Sequence, residues 1–145
     1  MMISTKGRYA LRLMADLAAN GDEGRLISLK ELAARQQISL KYLEQIVSVL
    51  NRAGYVRSVR GPQGGYRLSM PPGQLTVGMI LRQMEGDLAP VECLAAHAEP
   101  CDRRDDCSTR VLWERLQDAV NNVIDTTTLA DLLEPEKITQ PGGLQ

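Results

Sequence analysis

Three cysteines in the C-terminal half are the residues whose chemistry is easiest to assign from type and spacing. Cys93, Cys101 and Cys107 follow the spacing C-x7-C-x5-C. Zinc ribbons and fingers usually place paired ligands about two to four residues apart, so the wider gaps favour a loop around a bulkier group. Iron–sulfur clusters are held by cysteine thiolates, in some proteins together with histidine. The spacing therefore favours a cluster loop, with a zinc site or unrelated buried or redox cysteines as the alternatives.

The same loop offers further ligands for a metal but no framework of disulfides. The other candidates are the single histidine and four carboxylates: His97, Glu92, Asp102, Asp105 and Asp106. An odd number of cysteines, with no secretory leader at the N-terminus, argues against paired disulfides and for a cytoplasmic location. No stretch approaches ~20 uninterrupted apolar residues, so we expect no membrane partner.

Catalytic groups are scarce in this sequence. It has one histidine, no phosphate-binding loop and no visible pair of nucleophile and base. We therefore expect no enzyme and no small-molecule substrate. An electron carrier is the alternative from another class, but such a protein would not need the basic segment described next.

Charge is divided unevenly along the chain. Residues 1–75 hold 11 Lys and Arg against 5 Asp and Glu, whereas residues 76–145 hold 6 against 13. The net charge of −1 thus conceals a basic half and an acidic half, a distribution typical of proteins that bind nucleic acid at one end. Aromatic residues make up only 3% of the chain, so an aromatic platform that stacks bases is not expected.

The elements that position these residues begin with three helices. After a cap at Ser4 or Thr5, apolar residues recur at helical spacing as far as Ala18. Ser28 and Glu31 form the pattern of a capping box at the start of a short second helix. Ser39 is placed to cap a third helix, and Gly54 can end it in a left-handed conformation.

Alternating residues then predict a hairpin over 55–60 and 66–69, with a glycine-rich tip at 61–65. Three helices followed by a hairpin predict a winged helix-turn-helix. In that fold the N-terminal residues of the third helix enter the major groove, and the hairpin, or wing, reaches phosphates or a minor groove. Double-stranded DNA is the expected partner. A winged helix used only for protein contacts is the alternative.

We expect the DNA-contacting residues to lie in four places. On the first helix they are Lys6 and Arg8, and at the start of the second, Ser28. On the third helix they are Ser39, Lys41, Tyr42, Glu44 and Gln45. On the wing they are Arg57, Arg60, Gly61, Gly64, Gly65 and Tyr66. Glu can accept from a cytosine amino group and Gln can bond an adenine edge, whereas packing is the default role for each Tyr.

The C-terminal half predicts a helix capped by Thr76, a long loop over 86–106, and a long helix from Ser108 through Ile124. Thr128 can begin one more short helix. The expected fold class is mainly α with a small β wing, a winged helix-turn-helix plus a long C-terminal dimerisation helix. The expected division is a DNA-binding domain over 1–75, a linker helix, cysteine loop and dimerisation helix over 76–134, and a flexible tail over 135–145.

Three stretches carry a specific resemblance. They are 4–10 (STKGRYA), 38–45 (ISLKYLEQ) and 59–66 (VRGPQGGY). Together with the cysteine loop and long helix in the same order, they resemble the IscR-like iron–sulfur cluster regulators over about residues 2–133. The resemblance implies a homodimer joined by the long helices, with each cluster loop near the DNA-binding domain of its partner.

The chain also departs from that family at the fourth ligand. One branch has a histidine three residues after the last cysteine, where this chain has Arg110. Another branch uses an aspartate of the partner's first helix, where this chain has Arg8. The longer first gap resembles members that hold a four-iron cluster with three cysteines. Either [4Fe-4S] or [2Fe-2S] is therefore expected on Cys93, Cys101 and Cys107.

The expected function follows from both halves of the chain. It is a sequence-specific repressor or regulator of transcription, tuned by an iron–sulfur cluster and controlling cluster assembly, iron and sulfur metabolism or redox stress genes. The alternative is a cluster-free winged-helix regulator that senses oxidants through its thiols or binds zinc.

Overall fold

Serine and threonine side chains set the start of most helices. A computed structural model describes residues 2–139. Its helices are α1 (Thr5–Asn20), α2 (Leu29–Gln36), α3 (Leu40–Arg52), α4 (Val77–Glu85), α5 (Arg110–Thr126), α6 (Leu129–Leu132) and α7 (Pro135–Ile138). Ser4, Ser28, Ser39, Thr76 and Thr128 each accept a hydrogen bond from a backbone N–H of the first turn that follows. These caps satisfy donors that have no partner within the helix.

The capping box predicted at α2 is only half formed. Ser28 Oγ accepts from the N–H of Glu31 at 3.2 Å. The carboxylate of Glu31 does not return to the cap, because it pairs instead with Arg25 at 3.4 Å. A cation just before the helix thus competes for the residue that would complete the box.

The core forms around α1. Leu13, Met14 and Leu17 are essentially inaccessible to solvent and lie in one cluster with Leu43, Ile46 and Leu50 of α3. These residues follow the apolar stripes that the sequence predicts, and their burial is the main source of stability for this half of the chain. The core thereby holds α3 in a fixed position relative to α1.

Two strands, β1 (Val56–Val59) and β2 (Gly65–Leu68), form the wing as an antiparallel pair in which Val56 lies opposite Leu68. The wing is also tied to the segment before α2. Ile27 and Tyr66 exchange backbone hydrogen bonds of 2.9 and 2.8 Å. The predicted mainly helical fold with a small β wing is confirmed.

A second, smaller apolar cluster lies between α4 and α5. Val77 and Leu81 of α4 pack with Leu88 and Ile124, and Arg82 donates to Asp125 of α5 at 2.5 and 3.0 Å. The predicted flexible tail over 135–145 begins with the short helix α7, and residues 140–145 lie outside the described part of the chain. Among the described residues, no helix is long and apolar enough to cross a membrane.

Candidate nucleic-acid interface and cysteine loop

The N-terminal end of α3 presents polar side chains to solvent. Ser39 caps the helix by accepting from the N–H of Tyr42 at 3.1 Å, and Lys41, Glu44 and Gln45 are exposed. Leu40, which is not among the predicted contact residues, is 41% exposed in the first turn. An apolar side chain in this position can contact a thymine methyl group. It continues the helical spacing of the buried Leu43, Val47 and Leu50 but lies beside the cap, where the first turn is open to solvent.

Tyr42 differs from its neighbours because it packs against α1. Its ring meets that of Tyr9 edge to face, with centroids 6.0 Å apart, and the guanidinium of Arg12 lies 5.3 Å from the centroid of Tyr9. The side chain of Tyr42 is half-buried. This packing orients the first turn of α3 whether or not Tyr42 also touches DNA.

A buried carboxylate joins α1 to α2 through an ion pair and hydrogen bonds. Asp16 is 8% exposed and accepts from Arg35 at 2.7 and 3.0 Å, from Gln36 at 2.8 Å and from Asn20 at 3.2 Å. Burial raises the pKa of Asp16, but the hydrogen bonds from Arg35 and Gln36 outweigh it and hold the pKa below its ordinary value. The sequence alone did not predict this ion pair. Its signal was an aspartate within the apolar stripe of α1.

The N-terminal end of α1 carries two of the predicted contact residues. Lys6 is half-buried, and Arg8 is exposed and donates to Thr5 Oγ1 at 3.0 Å. Thr5 and Arg8 line a small groove of about 210 Å³ together with Tyr9 and Arg12. A phosphate group would meet only donors from these polar side chains and guanidinium groups.

The wing forms a second polar groove with α2. Arg57 and Arg60 are exposed, and a groove of about 520 Å³ joins the tip of the wing to the cap residue Ser28. Gly61, at φ +114°, requires the backbone conformation that glycine adopts most readily. Asn51 and Ser58, absent from the sequence prediction, also line this groove.

The next wing residues have structural roles of their own. A side chain at Gly64 would collide with the carbonyl of Val59, and one at Gly65 would approach the carbonyl of Ile27 to 2.7 Å. Tyr66 is half-buried and packs against the core. Close approach of protein backbones therefore explains why positions 64 and 65 hold glycine. Contact with DNA stays a prediction for Gly64, Gly65 and Tyr66.

Most cations of the basic half have no acidic partner among the described side chains. Within residues 2–75, ion pairs engage Arg25 with Glu31 and Arg35 with Asp16. Among the described side chains, no carboxylate lies within ion-pair distance of the five cations on the predicted face, Lys6, Arg8, Lys41, Arg57 and Arg60. Unpaired cations on one face make an attractive surface for a polyanion.

The cysteines lie on an open loop between α4 and α5. Cys93 and Cys101 are exposed, Cys107 is half-buried, and all three thiols are free. Cys93 and His97 line an open cavity of about 610 Å³ with Asp87 and Glu92. Within residues 2–139, no three His, Cys, Asp or Glu side chains are gathered closely enough to hold a metal ion. The donor chemistry fits an iron–sulfur cluster, and the thiols are not gathered within this single chain.

Cys107 is the thiol with the most distinctive surroundings. Its Sγ lies 3.4 Å from Thr109 Oγ1. Hydrogen bonds from the side chain and backbone of Thr109 lower the pKa of Cys107 below its ordinary value. A lower pKa favours the thiolate, which both metals and oxidants prefer. Arg110, at the position where the resembled branch has histidine, donates to Glu114 at 2.7 Å.

The fold and the unpaired basic face define a winged-helix protein of the class that binds DNA. The chain belongs to the Rrf2 family, described as "Iron-dependent Transcriptional regulator", which matches residues 3–135. It is thus a transcriptional regulator of that family.

Named relatives support the same assignment. The HTH-type transcriptional regulator CymR of Bacillus subtilis is 48% identical over 132 residues, which cover 91% of this chain and 89% of that protein. The regulator IscR of Aliivibrio salmonicida is 37% identical over 145 residues, covering 100% and 84% of the two chains. The expected resemblance to IscR-like regulators is therefore confirmed, and the names agree with the expectation that the chain is not an enzyme.

A solved structure repeats the fold. CymR (YrzC), described as the global cysteine regulator of B. subtilis, matches with a TM-score of 0.74 at 45% identity, covering 91% of this chain and 95% of that chain. The arrangement of three helices, wing and long C-terminal helix is thus shared with a regulator of known structure.

Proposed function

We propose that the protein is a homodimeric, cytoplasmic, sequence-specific repressor of transcription whose affinity for DNA is tuned by its cysteine loop. The observation that carries the proposal is the face formed by the exposed first turn of α3 and the unpaired cations beside it. In this proposal Ser39, Glu44 and Gln45 contact base edges, whereas Lys41 and the wing arginines contact phosphates or a minor groove. The regulated genes would serve cluster assembly, iron and sulfur metabolism or redox stress.

The dimer part of the proposal rests on α5. Its exposed apolar residues, Val111, Leu112, Leu116 and Val123, are 65, 57, 43 and 40% exposed. Leu112, Leu116 and Val123 form one stripe on the side away from Asn121 and Asp125, which contact Arg82, so a second copy of the chain can cover them. Two-fold symmetry would then present two recognition helices to a pseudo-palindromic site.

The sensing part of the proposal assigns Cys93, Cys101 and Cys107 as ligands of an iron–sulfur cluster. Three free thiols on one exposed loop, and the kinship with regulators named IscR, support this choice. When bound, the cluster would supply a group whose change of state is sensitive to oxygen and iron supply. The chain's own contribution is to order the loop and so shift the population between forms that differ in DNA affinity.

A second candidate is a regulator that senses through the thiols themselves. The lowered pKa of Cys107 and the exposure of Cys93 and Cys101 favour it. In this case oxidation of the thiols, or zinc binding, would change the loop.

DNA binding is tested first on the wing. Arg60→Ala should weaken binding to a duplex selected by the protein from a random pool, and should reduce the slope of log affinity against log salt by about one if Arg60 contacts a phosphate. Fluorescence anisotropy over a salt series measures both quantities. Lys137→Ala, which removes a cation from α7, is the control. If both variants bind like the unchanged protein, the wing assignment is wrong.

The cofactor is tested by anaerobic purification with iron, sulfide and zinc quantification and a visible spectrum. About four or about two irons per chain, matched by sulfide, would support [4Fe-4S] or [2Fe-2S] respectively. Cys93→Ala should abolish the visible absorbance and leave a folded dimer, while Ser108→Ala should retain it. Protein without iron but with intact thiols would exclude the cluster and favour the second candidate.

A further inference from the structure

The first turn of α1 is held by a residue 81 positions away in the sequence. The backbone N–H and the hydroxyl of Ser4 both donate to Glu85 Oε1, at 3.0 and 2.6 Å. The same hydroxyl oxygen accepts from the N–H of Gly7 at 3.0 Å and so caps α1. Because the hydroxyl hydrogen is directed at the carboxylate, the lone pairs of that oxygen are left facing the helix. Glu85 thereby fixes the orientation of the cap.

The contact is close enough to determine the residue at position 7. A side chain there would collide with Glu85 Oε1, so any other residue would require the carboxylate to shift from its place beside Ser4. The neighbours of Gly7 are Lys6 and Arg8, two unpaired cations on the predicted DNA face. Order in this turn therefore controls where the two cations are held.

On its other side, Glu85 leads directly into the cysteine loop. It is the last residue of α4 and is followed by Gly86, at φ +76°. Two residues after Glu85, the carboxylate of Asp87 accepts from the N–H groups of Ala89 and Ala96, both at 2.7 Å. Asp87 thus ties both sides of the turn that carries Cys93 to the end of α4.

We infer that Glu85 is the positioning residue through which the arrangement of the cysteine loop reaches the DNA-contacting end of α1. A loop rearrangement that breaks the bonds of Asp87 shifts the end of α4 and withdraws Glu85 from Ser4. The cap of α1 is then lost, and the turn that carries Lys6 and Arg8 frays. The inference rests on the proposed function, since it explains how the loop alters DNA affinity.

The test is a double-mutant cycle between Asp87→Ala and Glu85→Ala, which needs neither a cluster nor a known operator. The first readout is hydrogen exchange of the Gly7 amide. The second is affinity for a random-sequence duplex at fixed salt. Gln83→Ala, an exposed change on α4, is the control, and Glu85→Gln keeps an oxygen that can accept from Ser4.

Asp87→Ala alone should speed exchange at Gly7 by about five-fold, the effect of losing one helix cap. It should also weaken binding to the duplex. In the Glu85→Ala background, Asp87→Ala should speed exchange at Gly7 by less than about a further two-fold. Glu85→Gln should restore the dependence on Asp87, and Gln83→Ala should leave both readouts unchanged.

Equal effects of Asp87→Ala in the two backgrounds, or no effect at Gly7, would overturn the inference. This result is distinct from failure of the proposed function, in which the unchanged protein binds no duplex. The double-mutant cycle read by hydrogen exchange at Gly7 tests the role of Glu85 even then, because this readout does not depend on DNA.

Discussion

Asp16 and Gln37 fix the helix-turn-helix by two different devices at the scale of single residues. Asp16 joins α1 to α2 through Arg35 and Gln36. Gln37 ends α2 in the left-handed conformation at φ 56°, ψ 46°, and its N–H and that of Ile38 both reach the carbonyl of Ala33. One device depends on charge and the other on backbone conformation, so their tests differ.

Asp16→Asn should lower the free energy of unfolding at pH 7 by about 2 kcal/mol, because Arg35 loses a charged partner. Since the pKa of Asp16 in the folded protein lies below its ordinary value, the stabilisation is present above about pH 4 and is lost as pH falls through the folded pKa. Urea unfolding at pH 7 and at about pH 3 should show the difference between variant and unchanged protein shrinking. Asp118→Asn, an exposed change, should show no such dependence.

Gln37→Gly should raise the free energy of unfolding by about 0.5 to 1 kcal/mol. The left-handed conformation costs most residues about 1 to 2 kcal/mol, and the greater chain entropy of glycine offsets part of the gain. Urea midpoints measure the change. The matched variant Gln63→Gly, at the wing tip without positive φ, should not be stabilised, and equal gains for both would refute the argument.

At the scale of elements, the long helix α5 carries the surface proposed for dimer assembly. Gln117 and Asn121 face inward, where they contact Leu94 and Arg82. The opposite side of the helix exposes Leu112, Leu116 and Val123 to solvent in the single chain. An amphipathic helix with a second apolar side left open is typical of a surface covered by another copy of the chain.

Leu116→Lys should therefore convert the proposed dimer to a monomer and weaken binding to a two-fold symmetric duplex. Buried lysine without a partner is strongly unfavourable. Light scattering during size-exclusion chromatography measures the mass. Asp118→Lys introduces the same charge on the same helix, away from the apolar stripe, and should leave the mass unchanged. A dimer that persists in Leu116→Lys would place the interface elsewhere.

At the scale of the whole molecule, charge separates the predicted DNA face from the cysteine loop. The basic half holds the unpaired cations of the predicted DNA face, whereas the acidic half holds the cysteine loop. An acidic loop is repelled by the DNA backbone, so it would lie away from the phosphates when the basic face is bound.

Affinity for DNA should accordingly depend steeply on salt. With about six phosphate contacts, raising salt from about 50 to about 200 mM should weaken binding by about 10³-fold. An anisotropy titration measures this, with urea stability over the same salt range as the control. A flat dependence would show that the unpaired cations do not contact phosphates.

Local patterns in the sequence determined most of the secondary structure and the fold class of this protein. The serine and threonine caps, the helical stripes, the alternating hairpin and the glycine-rich tip depend on residues close together in the chain, so the elements and the winged-helix class followed from them. The sequence resemblance also predicted the family. The capping box at Ser28 shows the limit of such local prediction. It is only half formed, because Glu31 pairs with the nearby Arg25 and not with the backbone of Ser28.

Only the tertiary structure decided which distant residues meet. Three contacts join helices that are far apart in the sequence. Asp16 pairs with Arg35 across 19 positions, Tyr42 packs on Tyr9 across 33, and Ser4 donates to Glu85 across 81. Their existence depends on the angles at which helices pack, which follow from the whole core and not from local spacing. For the same reason the sequence placed three cysteines on one loop, whereas the fold decided that Cys93 and Cys101 are exposed, Cys107 is half-buried and the three are not gathered within the described part of the single chain.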